Sequence, residues 1–207
     1  MELDLIEQGG PVVIVLIGLS VVGLSLVFFK LFYYRHYSMG KIRNIEGAVD
    51  LWVEGDKQQA LDKLSNDPGP YAVMLGQGIR WLNKGDKDPS AVREELNRQG
   101  QQIVSRVNGM NGFIEQIAYL SPMLGLLGTV LGMIDVFRGL ANQSGGGDTG
   151  ALAGGIWEAL MTTAVGLTVA IPFALIYYLL DSHATTIRRS MEDQLTRLFT
   201  IKLYDKP

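Results

Sequence analysis

Gly154–Leu180 reads GGIWEALMTTAVGLTVAIPFALIYYLL, and this stretch decides the fold of the 207-residue chain. It is long enough for a helix to cross the hydrocarbon core of a bilayer, which takes about 20 apolar residues. Its one charged residue is Glu158. An ionisable group at membrane depth is costly and usually marks an ion path. The stretch therefore predicts a membrane-spanning helix with a functional carboxylate near its start.

Two further stretches predict membrane spans. Pro11–Phe29 carries no charge, and Ile117–Phe137 carries only Asp135. Basic residues follow the first span at Lys30, Arg35, Lys41 and Arg43, whereas Glu2, Asp4 and Glu7 precede it. A cleaved signal peptide has a basic segment before its apolar stretch and a small-residue cleavage site after it, so we expect a retained anchor. Because basic residues mark cytoplasmic flanks, we expect the N-terminus outside and the C-terminus inside.

The predicted fold is an all-α membrane protein. Its parts are an external N-terminus with the first span (1–37), a cytoplasmic helical domain (38–116), the second span (117–137), a periplasmic loop (138–153), the third span (154–180) and a cytoplasmic C-terminal helix (181–207). Turn signals at Gly55-Asp56, Asp67–Pro70 and Gly85–Pro89 divide the cytoplasmic domain into short helices. From Asp88 onward the pattern predicts one long helix running into the second span.

The final segment, Ser182–Ile201, has apolar residues at helical spacing, so we expect it to extend the third span. Two uses of its apolar face stay open. It completes a small helical core, packed against the long helix that begins after Asp88, or it binds a partner.

Composition excludes several classes of function. The chain is 47% hydrophobic and 19% charged, with a net charge of -3 and no cysteine. No basic block interleaved with aromatic residues is present, which argues against nucleic-acid binding. No phosphate-binding loop, metal-ligand spacing or nucleophile motif occurs, and His36 and His183 lie outside the spans. We expect no cofactor, no metal and no catalytic residue, and an intramembrane enzyme is disfavoured.

Small and hydroxyl residues recur at helical spacing on two spans. They are Gly125, Gly128, Gly132 and Asp135 with Thr129 beside them, and Gly155, Ala159, Thr162, Thr163, Gly166 and Ala170. Close helix packing explains the glycines without any further function. The threonines either return their hydroxyls to the preceding turn or supply oxygens to a water-filled path.

The two acidic residues of the spans each allow two interpretations. Glu158 lies in the outer interface and reaches water, or it faces a protein interior, where it would control proton entry. Asp135 is nearer the outer end of its span and is better explained as an interfacial or loop-facing carboxylate at the outer mouth.

Ser121–Phe137, SPMLGLLGTVLGMIDVF, followed by Gly154–Tyr178, resembles the MotA/TolQ/ExbB proton-channel family. The three-span layout resembles the ExbB/TolQ branch over the whole chain, whereas MotA has four spans. The resemblance implies a homopentamer in the bacterial inner membrane that surrounds the single membrane helices of two ExbD/TolR-like partners. Ion flow would then drive rotation and energise a TonB-like or TolA-like protein.

The same resemblance implies residue roles. An Asp on the partner's helix carries the proton, and the pore wall near it holds Thr129, Glu158 and Thr163. Thr162 is an additional hydroxyl that we count with this wall, although the resemblance supplies no role for it. The sequence departs from the family at the outer mouth, with Asp135, Trp157 and a Gly154-Gly155 pair. We expect ExbB-like energisation of transport; TolQ-like envelope maintenance and a non-conducting helical scaffold are the alternatives, and the choice between proton and sodium stays open.

Overall fold

The computed structural model describes residues 10–36, 42–85, 87–142 and 149–200. The predicted acidic flank with Glu2, Asp4 and Glu7 lies outside these residues, as do Lys41 and the side chains of Arg35, His36 and Arg43.

The described residues contain seven helices. They are α1 (Gly10–His36), α2 (Ile42–Val53), α3 (Lys57–Ser65), α4 (Pro70–Lys84), α5 (Pro89–Asn108), α6 (Asn111–Asn142) and α7 (Thr149–Thr200). Three helical stretches, Gly10–Tyr34, Pro89–Ala141 and Thr149–Thr200, are long and apolar enough to cross a membrane. The described chain has no β-strand. The prediction of an all-α protein with three membrane-spanning helices is confirmed.

The chain divides into two compact units. The membrane unit comprises the described residues of Met1–Phe28 and Met110–Leu179, and the helical unit comprises those of Phe29–Gly109 and Leu180–Pro207. In the membrane unit, α1 packs closely against α7 at Gly23, where a Cβ atom would lie 2.5 Å from the ring of Phe173. Leu16 on α1 and Phe173 on α7 are buried. Pro122 and Pro172 lie inside α6 and α7, as membrane helices tolerate where neighbouring groups satisfy the freed backbone.

The helical unit is built around a hydrophobic core. Leu75, Ile79 and Leu96 are fully buried there, and the end of α7 contributes Met191 and Leu195. At Gly100 on α5, a Cβ atom would lie 3.5 Å from Met191 Cε and 3.7 Å from Leu195 Cδ1. Of the two interpretations of the final segment, the core interpretation is therefore correct, and the segment extends the third span as one helix.

The predicted turn signals separate α2, α3, α4 and α5. Asp56 caps α3 by accepting from the Gln59 amide at 3.1 Å, and Asp88 caps α5 by accepting from the Ser90 amide at 3.2 Å. Gly85 ends α4 with φ of +70°, a conformation that costs other residues about 1–2 kcal/mol. Local chemistry thus explains where these helices begin and end.

The long helix predicted from Asp88 into the second span is present as one helical stretch, Pro89–Ala141, with a two-residue turn at Gly109 and Met110. α5 ends at Asn108 and α6 begins at Asn111. Lys30 Nζ donates to the Val107 carbonyl at 2.9 Å, at the end of α5. Gly109, a poor helix former, is the first residue after α5. The turn therefore lies next to a helix carbonyl that also accepts from a distant ammonium group.

Helix also replaces part of the predicted loop 138–153. α6 continues to Asn142, and α7 begins at Thr149. Leu140, Ala141 and Ala151 are good helix formers, which explains why helix persists on both sides.

Candidate ion-conduction site

The predicted site lies where α6 and α7 pack together in the membrane unit. A Cβ atom added at Gly125 would lie 2.9 Å from the Thr162 carbonyl oxygen, and one at Gly132 would lie 2.9 Å from Ala159 Cβ. At Gly128 the nearest atom would be Thr162 Oγ1, at 2.5 Å. These separations are too short for a real side chain, so α6 approaches α7 at all three glycines.

Two glycines of α7 make the reciprocal contacts. A Cβ atom at Gly166 would lie 2.7 Å from the Ser121 carbonyl oxygen and 3.0 Å from Gly125 Cα. One at Gly155 would collide with Val136. The five glycines that the sequence marks for helix packing all lie along this contact.

Two threonine hydroxyls converge on one backbone carbonyl. Thr162 Oγ1 and Thr163 Oγ1 each lie 3.1 Å from the Gly125 oxygen. Thr162 Oγ1 is also 2.7 Å from the Ala159 carbonyl of its own helix. Thr162 is buried and Thr163 is partly buried. Neither hydroxyl follows the simple pattern of a membrane threonine bonded only to its preceding turn.

Thr129 behaves differently from this pair. Its hydroxyl donates to the Leu126 carbonyl of α6 at 2.7 Å. This is the bond within one helix that satisfies a membrane threonine at little cost. Thr129 follows Gly128, which contacts Thr162, so it lies at the depth of the two α7 threonines. The structure thus brings Thr162 and Thr163 together and leaves Thr129 bonded to its own helix.

Glu158 and Asp135 line one cleft between α6 and α7. The cleft has a volume of about 290 Å³, and Gly132, Gly155 and Val136 also line it. Both carboxylates are exposed on the single chain. Each is therefore available to water or to a second protein chain.

The start of α1 lies beside Glu158. A Cβ atom at Gly10 would be 3.8 Å from Glu158 Oε1. The N-terminus of a helix favours a nearby negative charge. Sequence reasoning missed this neighbour, although Gly10-Pro11 is a recognisable helix start.

Asp135 has a basic neighbour, since its Oδ1 lies 3.7 Å from an Arg138 guanidinium nitrogen. Both side chains are about three-quarters exposed, so the pair contributes about 0–1 kcal/mol. No group of three His, Asp or Glu side chains forms a possible metal site within the described ranges. The cleft therefore presents two carboxylates among glycine and aliphatic residues.

The residues of this cleft and of the threonine pair lie within a match to a known family. Residues 66–193 match the model of the MotA/TolQ/ExbB proton channel family. The chain belongs to this family. The match includes all of α6 and the part of α7 that holds Glu158, Thr162 and Thr163.

Relatives within the MotA/TolQ/ExbB family place the chain in its ExbB/TolQ branch. An ExbB homologue of Methanothermobacter thermautotrophicus is 27% identical over 97% of this chain and 67% of the relative. The biopolymer transport protein ExbB of Salmonella typhimurium is 30% identical over 60% of this chain and 52% of the relative. The Tol-Pal system protein TolQ of Pseudomonas aeruginosa is 27% identical over 82% and 79% of the two chains. The chain is thus a multi-pass membrane member of a proton-channel family.

Proposed function

We propose that the chain is the channel subunit of an inner-membrane motor that converts proton-motive force into work on a periplasm-spanning protein. An ExbD/TolR-like protein with a single span supplies the other half of the motor. The observation that carries the proposal is the placement of Glu158 in an open cleft, with Thr162 and Thr163 about one turn further along the same helix. A carboxylate followed by hydroxyls provides successive oxygens for a proton and its water.

The proposed roles follow the order of these oxygens along α7. Glu158 controls entry from the outer side, with Asp135 at the mouth of the same cleft. Thr163 and Thr129 belong to the pore wall, opposite an Asp of the partner that carries the moving proton. One elementary charge crossing 100 mV releases about 2.3 kcal/mol. Each transfer therefore biases a rotation by several times the thermal energy.

The proposed topology has the N-terminus outside and the C-terminus in the cytoplasm. Its support is the basic residues behind the first span and in the tail, with Arg188, Arg189 and Arg197 on the last part of α7. In this arrangement the proposed segments are 1–37, 38–116, 117–137, 138–153, 154–180 and 181–207, and helix continues into both ends of the external segment 138–153.

The proposed assembly is a homopentamer around two partner helices. Large apolar side chains of the membrane unit face away from the single chain, among them Ile14, Val21, Leu126, Phe137, Trp157 and Ile171. Continuous apolar surface of this kind is covered by lipid or by other protein chains. In the proposed motor, the bilayer covers part of it and neighbouring subunits cover the rest.

The first test is purification of the full-length chain from its native membranes in mild detergent. We expect a single-span protein with one intramembrane Asp to accompany it. The complex is then reconstituted in liposomes that contain a pH-sensitive dye, and an imposed potential drives proton entry. A parallel series replaces the proton gradient with sodium and a sodium-sensitive dye.

Three variants test the site in these liposomes. We expect Glu158→Gln and Thr163→Val to lose most ion entry while they assemble normally. Thr168→Val is the matched control, because Thr168 is exposed and donates only to Ala164 of its own helix, at 2.8 Å. Wild-type ion entry in Glu158→Gln and Thr163→Val would refute the motor.

A second candidate function is a non-conducting helical scaffold. The close approach at Gly125, Gly128 and Gly132 favours it, since packing alone explains these contacts. A scaffold would retain its cellular function in Glu158→Gln.

The client process separates the ExbB-like proposal from the TolQ-like alternative. Deletion of the gene should abolish energised uptake across the outer membrane in the first case. In the second it should make cells sensitive to detergent.

A further inference from the structure

We propose that Thr162 is a positioning residue that holds and releases the Thr163 hydroxyl through the shared carbonyl of Gly125. This inference rests on the proposed function, because it assigns to Thr163 a place in the ion path. It gives a role to a hydroxyl that the family resemblance leaves without one.

The Gly125 carbonyl can accept a limited number of hydrogen bonds. A backbone carbonyl oxygen has two. Gly125 lies inside α6, so one of them accepts the amide four residues onward. One lone pair remains for the hydroxyls of Thr162 and Thr163, both at 3.1 Å. The two threonines therefore compete for a single position.

The Thr162 hydroxyl can donate to one of two carbonyl oxygens. A threonine hydroxyl donates one proton. Thr162 has a choice between the Gly125 oxygen at 3.1 Å and the Ala159 oxygen at 2.7 Å. When Thr162 donates to Ala159, the Gly125 position is open to Thr163. When Thr162 turns to Gly125, it displaces Thr163, whose hydroxyl then becomes available to water and ions.

The burial of Thr162 suits this positioning role. Thr162 is only 4% exposed, and its side chain occupies the space that a side chain at Gly128 would need. It is therefore screened from the water that would compete for its hydrogen bond. Thr163 is only partly buried, so its hydroxyl can contact water when it is not bonded to Gly125.

The experiment compares two variants of Thr162 that separate its hydroxyl from its volume. Thr162→Val keeps the volume and loses the donor, whereas Thr162→Ser keeps the donor and loses a methyl group. The complex, liposomes and proton-entry assay are those described above, with Thr168→Val as control. Assembly is checked by size-exclusion chromatography and by the thermal unfolding midpoint.

We expect Thr162→Val to reduce proton entry at least about fivefold, because it removes one hydrogen-bond donor. Thr162→Ser should restore entry to near the wild-type rate, and Thr168→Val should match wild type. A residue that acts only through packing predicts the opposite order, with valine tolerated and serine impaired. If Thr162→Val does not assemble, Thr162→Ala takes its place, since it also removes the donor and introduces no larger group.

Two results would overturn the inference. One is wild-type proton entry in the valine or alanine variant, and the other is equal impairment of the valine and serine variants. Glu158→Gln in the same assay distinguishes this failure from failure of the motor itself. If Glu158→Gln loses proton entry while Thr162→Val keeps it, only the positioning role is wrong. If Glu158→Gln also conducts, the proposed function is wrong as well.

Discussion

Lys30 Nζ donates a hydrogen bond to the carbonyl oxygen of Val107 at 2.9 Å. The lysine is only 3% exposed, and its ammonium lies 5.5 Å from the centre of the Tyr34 ring. A positive charge at a helix C-terminus is favourable, because the last carbonyls have no partner within the helix. A residue that sequence reasoning treats as a simple topology signal thus also binds the C-terminus of α5.

Lys30→Met tests this bond. The variant keeps an unbranched side chain but leaves the buried Val107 carbonyl without its donor. We expect the helical unit to lose about 1–3 kcal/mol of stability, the cost of a buried unsatisfied polar group. Urea unfolding of the full-length protein in detergent measures it, followed by Trp52 and Trp81 fluorescence in a Trp157→Phe background. Lys63→Met, at an exposed site on α3, is the control; equal loss in both variants would show that the bond to Val107 is unimportant.

Gly125→Ala tests the close contact of α6 and α7. The new methyl group would meet the Thr162 carbonyl, which is backbone and cannot turn aside. We expect reduced assembly and a thermal midpoint several degrees lower, in line with an overpacking cost of about 1–3 kcal/mol. Gly139→Ala is the matched control on the same helix, since a Cβ atom there meets nothing within 4 Å. Because alanine favours helix over glycine by about 1 kcal/mol, the control should be neutral or more stable.

Leu96→Ala tests the core of the helical unit. Leu96 is fully buried and lies against Gly78, where a Cβ atom would be 2.5 Å away. Removing it should cost about 2–5 kcal/mol, since the cavity left behind cannot close fully. The same urea unfolding in the Trp157→Phe background measures the loss. Val73→Ala, at a side chain that is 53% exposed, should change stability by much less; a small effect at both positions would contradict the assigned core.

Alkaline pH should weaken the helical unit through Tyr71. Burial raises the pKa of this phenol well above its usual range, and the nearby carboxylates of Asp193 and Glu46 raise it further. Since the folded pKa exceeds the unfolded value of about 10, the neutral phenol's contribution is fully present below pH 10 and is lost as pH rises above it. Tyr71→Phe lacks this group, so the stability difference between wild type and variant should change above pH 10 and stay constant below it. A constant difference in the free energy of unfolding between wild type and Tyr71→Phe from pH 7 to 11 would contradict the prediction.

Local chemistry explains what the sequence predicts well. The spans follow from uninterrupted apolar residues, and the ends of α3, α4 and α5 follow from Asp56, Gly85 and Asp88. Each signal acts within a few residues of itself. The fold class and the short helices of residues 42–108 could therefore be predicted.

Long-range contacts explain what the sequence does not predict. The bond at the end of α5 comes from Lys30, which is 77 residues from Val107. The difference between Thr162 and Thr163 depends on the rotation of α7 against α6, because adjacent residues point about 100° apart on a helix. Sequence reasoning grouped the two hydroxyls, whereas their unequal burial became visible only with Gly125 and Gly128 in place.

The contact between Gly128 and Thr162 also limits how relatives of this chain diverge. The threonine side chain occupies the volume that a side chain at position 128 would need. A larger residue at 128 is therefore compatible only with a smaller one at 162, and the two positions should change together in descendant sequences. Each single exchange passes through a crowded intermediate, which predicts that glycine at 128 persists for as long as threonine remains at 162.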